Sequence, residues 1–206
     1  MVELCSKGDS VHGKTLERMD DGRLVAWRVL DACACPGGKS FSAALDMAND
    51  GQIYSFDLHR NKLSLIEKGA EKLGVTIIST EERDARQPKT DLIGRADRVL
   101  CDAPCSGLGV IAKKPDIRYK NLDECAKLPE IQYNVLCGAA EYVRADGVLV
   151  YSTCTLNPAE NENVVSRFLE SHAGFELVSM KTFFPHKDGC DGFFAAKMIR
   201  KKSITI

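Results

Sequence analysis

The fold is decided by the run Val29-Leu30-Asp31-Ala32-Cys33-Ala34-Cys35-Pro36-Gly37-Gly38-Lys39, in which a short apolar stretch leads directly into a glycine-rich turn. The stretch 29–32 predicts a buried strand, and the residues after the turn predict a helix. Glycine lets a backbone approach a ligand closely, and a helix amino terminus offers free amide groups. The turn is therefore a candidate nucleotide-binding loop, although a plain tight turn fits the loop alone equally well. It lacks the G-x-G-x-x-G spacing, so a dinucleotide is a less favoured ligand.

Strand and helix patterns alternate through the rest of the chain. Predicted strands cover 29–32, 52–56, 75–78, 96–101, 148–151, 175–180 and 193–199, and predicted helices cover 41–48, 63–73, 131–143 and 158–171. This alternation predicts an α/β fold with a doubly wound, mostly parallel seven-stranded sheet and right-handed crossovers. The last two strands have no predicted helix between them, so we expect them to pair antiparallel.

The composition fits one α/β domain, because the chain has 206 residues, a formal net charge of −1 and 28% charged residues. No apolar run reaches the length of about 18 residues that a membrane-spanning helix needs. Residues 1–7 lack the apolar core of a signal peptide. Residues 1–27 show little hydrophobic periodicity, so we treat them as a lead-in segment of undefined order, and the domain itself is predicted over residues 28–202.

The cysteines are numerous for a chain of this kind. They stand at positions 5, 33, 35, 101, 105, 125, 137, 154 and 190. Without a signal peptide, they are predicted to be reduced thiols of a cytoplasmic protein. No C-x-x-C pair occurs and the histidines are scattered, so no metal site is predicted.

Two of these cysteines follow predicted strands directly. Cys105 lies in residues 102–107 (DAPCSG), and Cys154 lies in residues 151–155 (YSTCT). Open parallel sheets bind their ligands at the carboxyl ends of the strands, so both thiols are expected to face one crevice. Thiols there, beside a glycine-rich loop, indicate thiolate chemistry on a bound substrate.

Two acidic residues add to the candidate nucleotide site. Asp57 ends the second predicted strand, where a carboxylate can accept hydrogen bonds from both hydroxyls of a ribose. It can also cap the helix that follows, and the two roles can coexist. Asp84 follows the third predicted strand and could bond an adenine amino group, but a solvated loop charge is the more common role for such a residue.

With these motifs, the chain resembles the RsmB/Sun type of RNA cytosine-5 methyltransferases over about residues 28–200. The matching segments are 29–39, 102–111, 114–119, Gln132 with the helix after it, 149–155 with Glu160 and Asn161, and 191–194. The resemblance implies a Rossmann-like, class I methyltransferase fold with S-adenosylmethionine as the cofactor. The cofactor-binding residues that it implies are Cys33, Ala34, Cys35, Pro36, Gly37, Gly38, Lys39, Asp57, Asp84 and Asp102. Of these, the two cysteines are expected to contribute backbone rather than sulfur.

The same resemblance implies the catalytic roles. Cys154 is the nucleophile that adds to carbon 6 of cytosine, which turns the ring into an enamine whose carbon 5 can attack a methyl sulfonium. Cys105 assists elimination and product release, and Asp102 lies against the base edge and the methyl donor. Lys39 holds the base or stabilises the thiolate; an ordinary solvent-facing lysine at a helix start is the equally weighted alternative.

The implied substrate is RNA, with small-subunit (16S) ribosomal RNA as the first expectation and transfer RNA as the second. The chain departs from the family in having Cys35 in place of the usual alanine, and residues 1–27 do not supply the RNA-binding regions that usually precede the domain. The net charge is not basic, so contact with RNA must be local. Candidates for it are Lys113, Lys114, Arg118 and Lys120. We expect a monomer that binds RNA weakly on its own and does not bind membranes.

Three alternatives stay open. A DNA cytosine-5 methyltransferase would use Cys105 as its nucleophile, and it would not need the motif around Cys154. A cofactor-binding fragment without RNA activity of its own is the second alternative. A thiol–disulfide function is the third, and the lack of a C-x-x-C motif argues against it.

Overall fold

The computed structural model describes residues 17–18, 24–25 and 27–202. Most of the predicted lead-in segment, residues 1–27, lies outside the described residues. Within that segment, β1 (Glu17–Arg18) and β2 (Leu24–Val25) form a short antiparallel pair.

A seven-stranded sheet forms the centre of the fold. Its strands are β3 (Arg28–Asp31), β4 (Gln52–Asp57), β5 (Ile78–Glu82), β6 (Ala96–Asp102), β7 (Val143–Thr153), β8 (Phe175–Phe183) and β9 (Phe193–Arg200), in the spatial order β5-β4-β3-β6-β7-β9-β8. All neighbours from β5 to β7 are parallel, and β9 pairs antiparallel with both β7 and β8. The predicted doubly wound sheet and the antiparallel pairing of its last two strands are therefore confirmed. The strand order reverses between β3 and β6, and such a switch point opens a crevice at the carboxyl ends of the strands.

Helices cover both faces of the sheet. They are α1 (Gly38–Asp46), α2 (Arg60–Lys72), α3 (Leu122–Ala126), α4 (Leu128–Glu141), α5 (Glu162–Ser171) and α6 (Pro185–Asp188). Ala44 of α1 and Ala70 of α2 pack in one buried cluster with Val29. Leu136 of α4 and its neighbours pack in another cluster with Leu30. Because successive strand residues point to opposite faces, these two clusters are the two sides of the core.

Several element boundaries differ from the sequence prediction. The third strand, predicted over 75–78, is β5 at Ile78–Glu82, and the prediction was wrong because the buried Val75 and Ile77 belong to the segment before the strand. This strand is at the sheet edge and half-exposed, so its own residues are polar. The helix predicted over 158–171 is divided into the 3-10 turn Pro158–Glu160 and α5.

We predict that Gly138→Ala destabilises the fold. Gly138 lies in α4, and an added Cβ would overlap the carbonyl oxygen of Ala85, in the loop that carries Asp84. Overpacking of this kind costs about 1–3 kcal/mol of unfolding free energy, more than the gain of about 1 kcal/mol from replacing a helical glycine. Denaturant unfolding monitored by circular dichroism measures the difference. Gly174→Ala is the control, since nothing lies within 4 Å of its added Cβ; equal stability of both variants would contradict the packing described here.

Candidate active site

The glycine-rich loop joins β3 to α1 and leaves one side open. Gly37 has a φ of 108°, a left-handed conformation that glycine adopts without strain, and it is the residue before the first turn of α1. The peptide bond between Cys35 and Pro36 is cis. A Cβ added at Gly38 would meet nothing within 4 Å, so the amino end of the helix faces open space. The loop therefore has the form of an anion- or ligand-binding turn.

Asp57 lies beside this loop. Its carboxylate accepts hydrogen bonds from the backbone N–H of Cys35 at 3.3 Å and of His59 at 2.9 Å. Asp57 was predicted as a possible cap of the following helix, but His59 is the residue immediately before α2. The carboxylate of Asp57 instead closes a turn with the N–H of His59. Leu58, the next residue, keeps 53% of its surface exposed. An apolar side chain exposed beside a candidate ribose ligand is a feature that the sequence analysis missed.

Asp31 is a buried acid in the same crevice. Its Oδ2 accepts a hydrogen bond from the hydroxyl of Ser40 at 2.8 Å, while its buried Oδ1 has no hydrogen-bond partner among the described residues. Burial raises the pKa of Asp31 to about 6. Sequence reasoning assigned Asp31 no role, although an acid at the end of an apolar strand was the available signal. An unpaired carboxylate oxygen there is ready for a cationic ligand.

The other predicted cofactor residues divide into two groups. Asp84 makes a close ion pair with Arg86, with 2.6 Å between its Oδ2 and the guanidinium, and this hydrogen bond lowers the pKa of Asp84. Its contact with adenine therefore stays a prediction, while its pairing with Arg86 is that of an ordinary charged loop residue.

The thiols of Cys33 and Cys35 have pKa values raised by burial, to about 11 for Cys35. Such thiols stay protonated at neutral pH and do not act as nucleophiles.

Lys39 and Asp102 meet at the centre of the crevice. The ammonium group of Lys39, at the start of α1, donates to Oδ2 of Asp102, at the end of β6, with an N–O distance of 2.5 Å. The hydroxyl of Ser152 in β7 donates to the other carboxylate oxygen at 2.7 Å. Lys39 thus points into the site instead of into solvent, and three elements fix the orientation of one carboxylate.

The thiols of Cys105 and Cys154 are in contact. The sequence predicted that both face one crevice, but it did not predict this contact. Their Sγ atoms are 3.2 Å apart, a contact in which either sulfur can donate, and the backbone N–H of Cys154 donates to the Cys105 sulfur at 3.3 Å. The hydrogen bond from Cys105 lowers the pKa of Cys154 to about 7, against the opposing effect of burial, and the charge of Lys39 adds to the lowering. The same bond and burial raise the pKa of Cys105. The directions of the two pKa shifts favour Cys154 as the thiol that ionises first, with Cys105 as its proton donor.

A buried carboxylate lies behind the two thiols. The side chain of Glu160 is fully buried, and its Oε2 accepts hydrogen bonds from the backbone N–H of Ser106 at 2.8 Å and the side-chain amide of Gln132 at 2.9 Å. The amide of Asn157 donates to Oε1 at 3.0 Å. Sequence analysis gave Glu160 and Gln132 no role beyond the resemblance, since hydropathy patterns do not show a buried polar network.

Two of the four basic residues predicted to contact RNA already have partners within the protein. Lys113 is paired with Asp191 at 2.5 Å, and Lys120 donates to the backbone carbonyl of Ser106 at 2.8 Å. Lys120 therefore braces the Cys105 loop. Lys114 and Arg118 are exposed on the same segment, where Tyr119 keeps 83% of its surface exposed.

Three other properties of the described residues bear on function. Between residues 27 and 202, all eight cysteines are free. No cluster of three or more His, Cys, Asp or Glu side chains in the described part could hold a metal ion. None of its helices combines the length and apolar character needed to cross a membrane.

Comparison with known proteins gives consistent results. The family model described as 16S rRNA methyltransferase RsmB/F matches residues 23–199. The probable ribosomal RNA small subunit methyltransferase B of Bacillus subtilis is 44% identical over 192 residues, which cover 84% of this chain and 43% of the relative. The protein of that name from Synechocystis is 39% identical, with 82% and 42% coverage. The chain thus spans less than half the length of these curated relatives.

Solved structures show the same likeness. The crystal structure of NSun6 from Pyrococcus horikoshii with SFG superimposes with a TM-score of 0.76 at 33% identity, covering 86% of this chain and 48% of that one. A methyltransferase homolog protein from Pyrococcus horikoshii gives a TM-score of 0.70 at 27% identity, covering 84% of this chain and 61% of that one.

We predict that Cys105→Ala raises the pH at which Cys154 becomes reactive. In the wild-type protein the alkylation rate of Cys154 should rise with pH around a midpoint of about 7, because only the thiolate reacts. Loss of the Cys105 donor should move this midpoint up toward the ordinary thiol value of about 8.5. Peptide mass spectrometry after timed iodoacetamide treatment measures the rates. Cys125→Ala is the control, and an unchanged midpoint in Cys105→Ala would refute the assigned proton donor.

Proposed function

Because the chain belongs to the RsmB/F family of 16S rRNA methyltransferases, we propose that it methylates carbon 5 of a cytosine in small-subunit ribosomal RNA. The predicted family and fold class are confirmed, and S-adenosylmethionine is the cofactor of this class. The observation that supports the proposed chemistry is the contact of two thiols at 3.2 Å beside the Lys39–Asp102 pair. Transfer RNA is the alternative substrate, and a monomer in the cytoplasm, where free thiols persist, is the expected setting.

The crevice offers groups that match each part of the cofactor. The open loop 33–39 would hold it through backbone amides, and Asp57 would accept the ribose hydroxyls. The unpaired Oδ1 of the buried Asp31 would accept its ammonium group, while the exposed Leu58 would pack against adenine, with Asp84 near the adenine amino group. When bound, S-adenosylmethionine supplies an electrophilic methyl group.

The two thiols divide the work on the base. The thiolate of Cys154 adds to carbon 6, and the addition makes carbon 5 nucleophilic enough to accept the methyl group. Asp102 faces the base edge and is held there by Lys39, whose positive charge also favours the Cys154 thiolate. In the elimination step a solvent-derived base takes the hydrogen of carbon 5 as a proton, and the electron pair of that bond forms the C5–C6 double bond. Cys154 leaves carbon 6 as a thiolate, which the protonated thiol of Cys105 stabilises by hydrogen bonding. The lowered pKa of Cys154 and the raised pKa of Cys105 agree with this division, and the covalent adducts of the two variants separate it from that of DNA methyltransferases, in which Cys105 would attack.

Binding of RNA is proposed to depend on parts of the longer relatives that this chain does not match. The formal net charge is −1, and phosphate contacts supply most nucleic-acid affinity. The exposed Lys114 and Arg118 would contact phosphates next to the target base, whereas Lys113 and Lys120 already have protein partners. A cofactor-binding fragment without RNA activity of its own therefore stays the second candidate function.

We predict that the chain binds S-adenosylmethionine without RNA or another domain. Asp57→Ala should weaken binding by about 1–3 kcal/mol, the usual cost of leaving polar groups without partners. Isothermal titration calorimetry measures the affinity. Asp50→Ala, an exposed acid in the turn before β4, is the matched control and should bind like the wild type. Absence of binding by folded wild-type protein would disprove the site assignment.

We predict opposite effects for the two thiols with RNA as substrate. Cys154→Ala should abolish methyl transfer, because no thiolate then activates carbon 5. Cys105→Ala should still attack and methylate but release its product slowly, so a covalent protein–RNA adduct should accumulate. Denaturing gel electrophoresis with labelled RNA, run with the RNA-binding part of a longer relative supplied, detects the adduct. An adduct from Cys154→Ala and none from Cys105→Ala would reverse the roles and favour the DNA-methyltransferase arrangement.

A further inference from the structure

Glu160 occupies a position that links the two thiol loops without touching either sulfur. It lies six residues after Cys154, in the 3-10 turn Pro158–Glu160 between β7 and α5. Its side chain is 0% exposed. A fully buried carboxylate costs folding free energy unless several donors surround it, so a residue of this kind calls for a specific explanation.

The donors around Glu160 come from both sides of the site. Ser106, the residue after Cys105, donates its backbone N–H to Oε2. Gln132 of α4 donates to the same oxygen and also to the carbonyl of Pro104, the residue before Cys105. The Cys105 loop is thus tied to the carboxylate on both sides of the thiol.

The Cys154 loop is tied to the same residue. Asn157 donates its side-chain amide to Oε1 of Glu160, and its own Oδ1 accepts the backbone N–H of Ala159. The hydroxyl of Tyr151, at the end of β7, donates to the backbone carbonyl of Glu160 at 2.6 Å. One buried residue therefore sets the distance between two loops that are 49 residues apart in sequence.

We propose that Glu160 is a positioning residue for methyl transfer: its carboxylate holds the Cys105 loop against the Cys154 loop, so that the Cys105 thiol stays in hydrogen-bond contact with the attacking sulfur. Only the role of Cys154 as the attacking sulfur rests on the proposed function. The contact itself, and its effect on the acidity of Cys154, do not depend on the substrate.

Only a carboxylate satisfies this environment. All three side-chain and backbone groups that face its oxygens are donors, so an amide at this position would place its own NH₂ against a donor. Asn157 cannot turn its oxygen toward an amide without losing its bond to Ala159. Glu160→Gln, which keeps the size and removes one acceptor, should therefore loosen the link between the loops.

The acidity of Cys154 reports on this link. The groups that face its sulfur are Cys105 from the loop after β6, Asp102 from β6 and Lys39 from α1. If Glu160 acted on Cys154 only through its charge, its neutralisation would make the thiol more acidic, because a nearby negative charge disfavours a thiolate. If it acts by holding Cys105 in place, its neutralisation should make the thiol less acidic. The two roles thus predict shifts of opposite sign.

The experiment is the pH dependence of Cys154 alkylation by iodoacetamide in the full chain, without RNA or cofactor. Glu160→Gln should raise the midpoint by about one pH unit from the wild-type value, toward that of an unperturbed thiol. In the double variant Cys105→Ala/Glu160→Gln, the midpoint should equal that of Cys105→Ala alone, since the contact that Glu160 preserves is already gone. Glu162→Gln, whose carboxylate bonds Thr182 on β8, is the matched control and should keep the wild-type midpoint.

A midpoint that falls or stays constant in Glu160→Gln would overturn the proposal, and so would a further rise in the double variant over Cys105→Ala. Circular dichroism melting shows whether each variant is folded. If Glu160→Gln does not fold, Gln132→Met decides, because it removes the tie to Pro104 and leaves the carboxylate with two donors. It should give a smaller rise of the same sign, and no rise would overturn the proposal. Failure of the wild-type protein to methylate RNA when the RNA-binding part of a longer relative is supplied would refute the proposed function and leave these outcomes unaffected.

Discussion

The buried carboxylate of Glu160 is the constraint on which the geometry of the site depends. Strands β6 and β7 are parallel neighbours, with Asp102 paired in register with Ser152, so their carboxyl ends already lie side by side. Strand pairing stops there, however, and the two thiols follow in loops. The hydrogen bonds from Ser106, Gln132 and Asn157 to Glu160 continue the alignment beyond the sheet. The contact between the sulfurs follows from it.

Charge in the crevice is arranged around this thiol pair. Lys39 neutralises Asp102 and favours the Cys154 thiolate, while Asp31 remains buried with one oxygen unpaired. Burial raises the pKa of Asp31 to about 6, so folding stability falls as pH rises from about 4, where the unfolded carboxyl ionises, to about 6, and the loss is complete above that pH. A bound cation would relieve that cost. The site therefore contains a buried negative charge on Asp31 that a cationic methyl donor is suited to neutralise.

Much of this arrangement was predictable from sequence because parallel strands bring their carboxyl ends to one edge. That rule predicted that Cys105 and Cys154 face one crevice and put Asp57 at another strand end, whereas the position of Asp102 was implied by the family resemblance. The Glu160 network could not be derived in this way, since a buried polar cluster leaves no periodic pattern. Strand β5 was misplaced for a related reason: apolar residues mark burial, and Val75 and Ile77 are buried outside the strand.

The most direct test of the account is whether the thiols of Cys105 and Cys154 are neighbours in solution. Dibromobimane bridges only thiols that lie close together and fluoresces once both arms have reacted. Peptide mapping of the treated protein should find one main bridge, between Cys105 and Cys154, which disappears in Cys105→Ala. A bridge between other cysteines, or single-arm modification of Cys154 with Cys105 free, would contradict the 3.2 Å contact on which the mechanism is built.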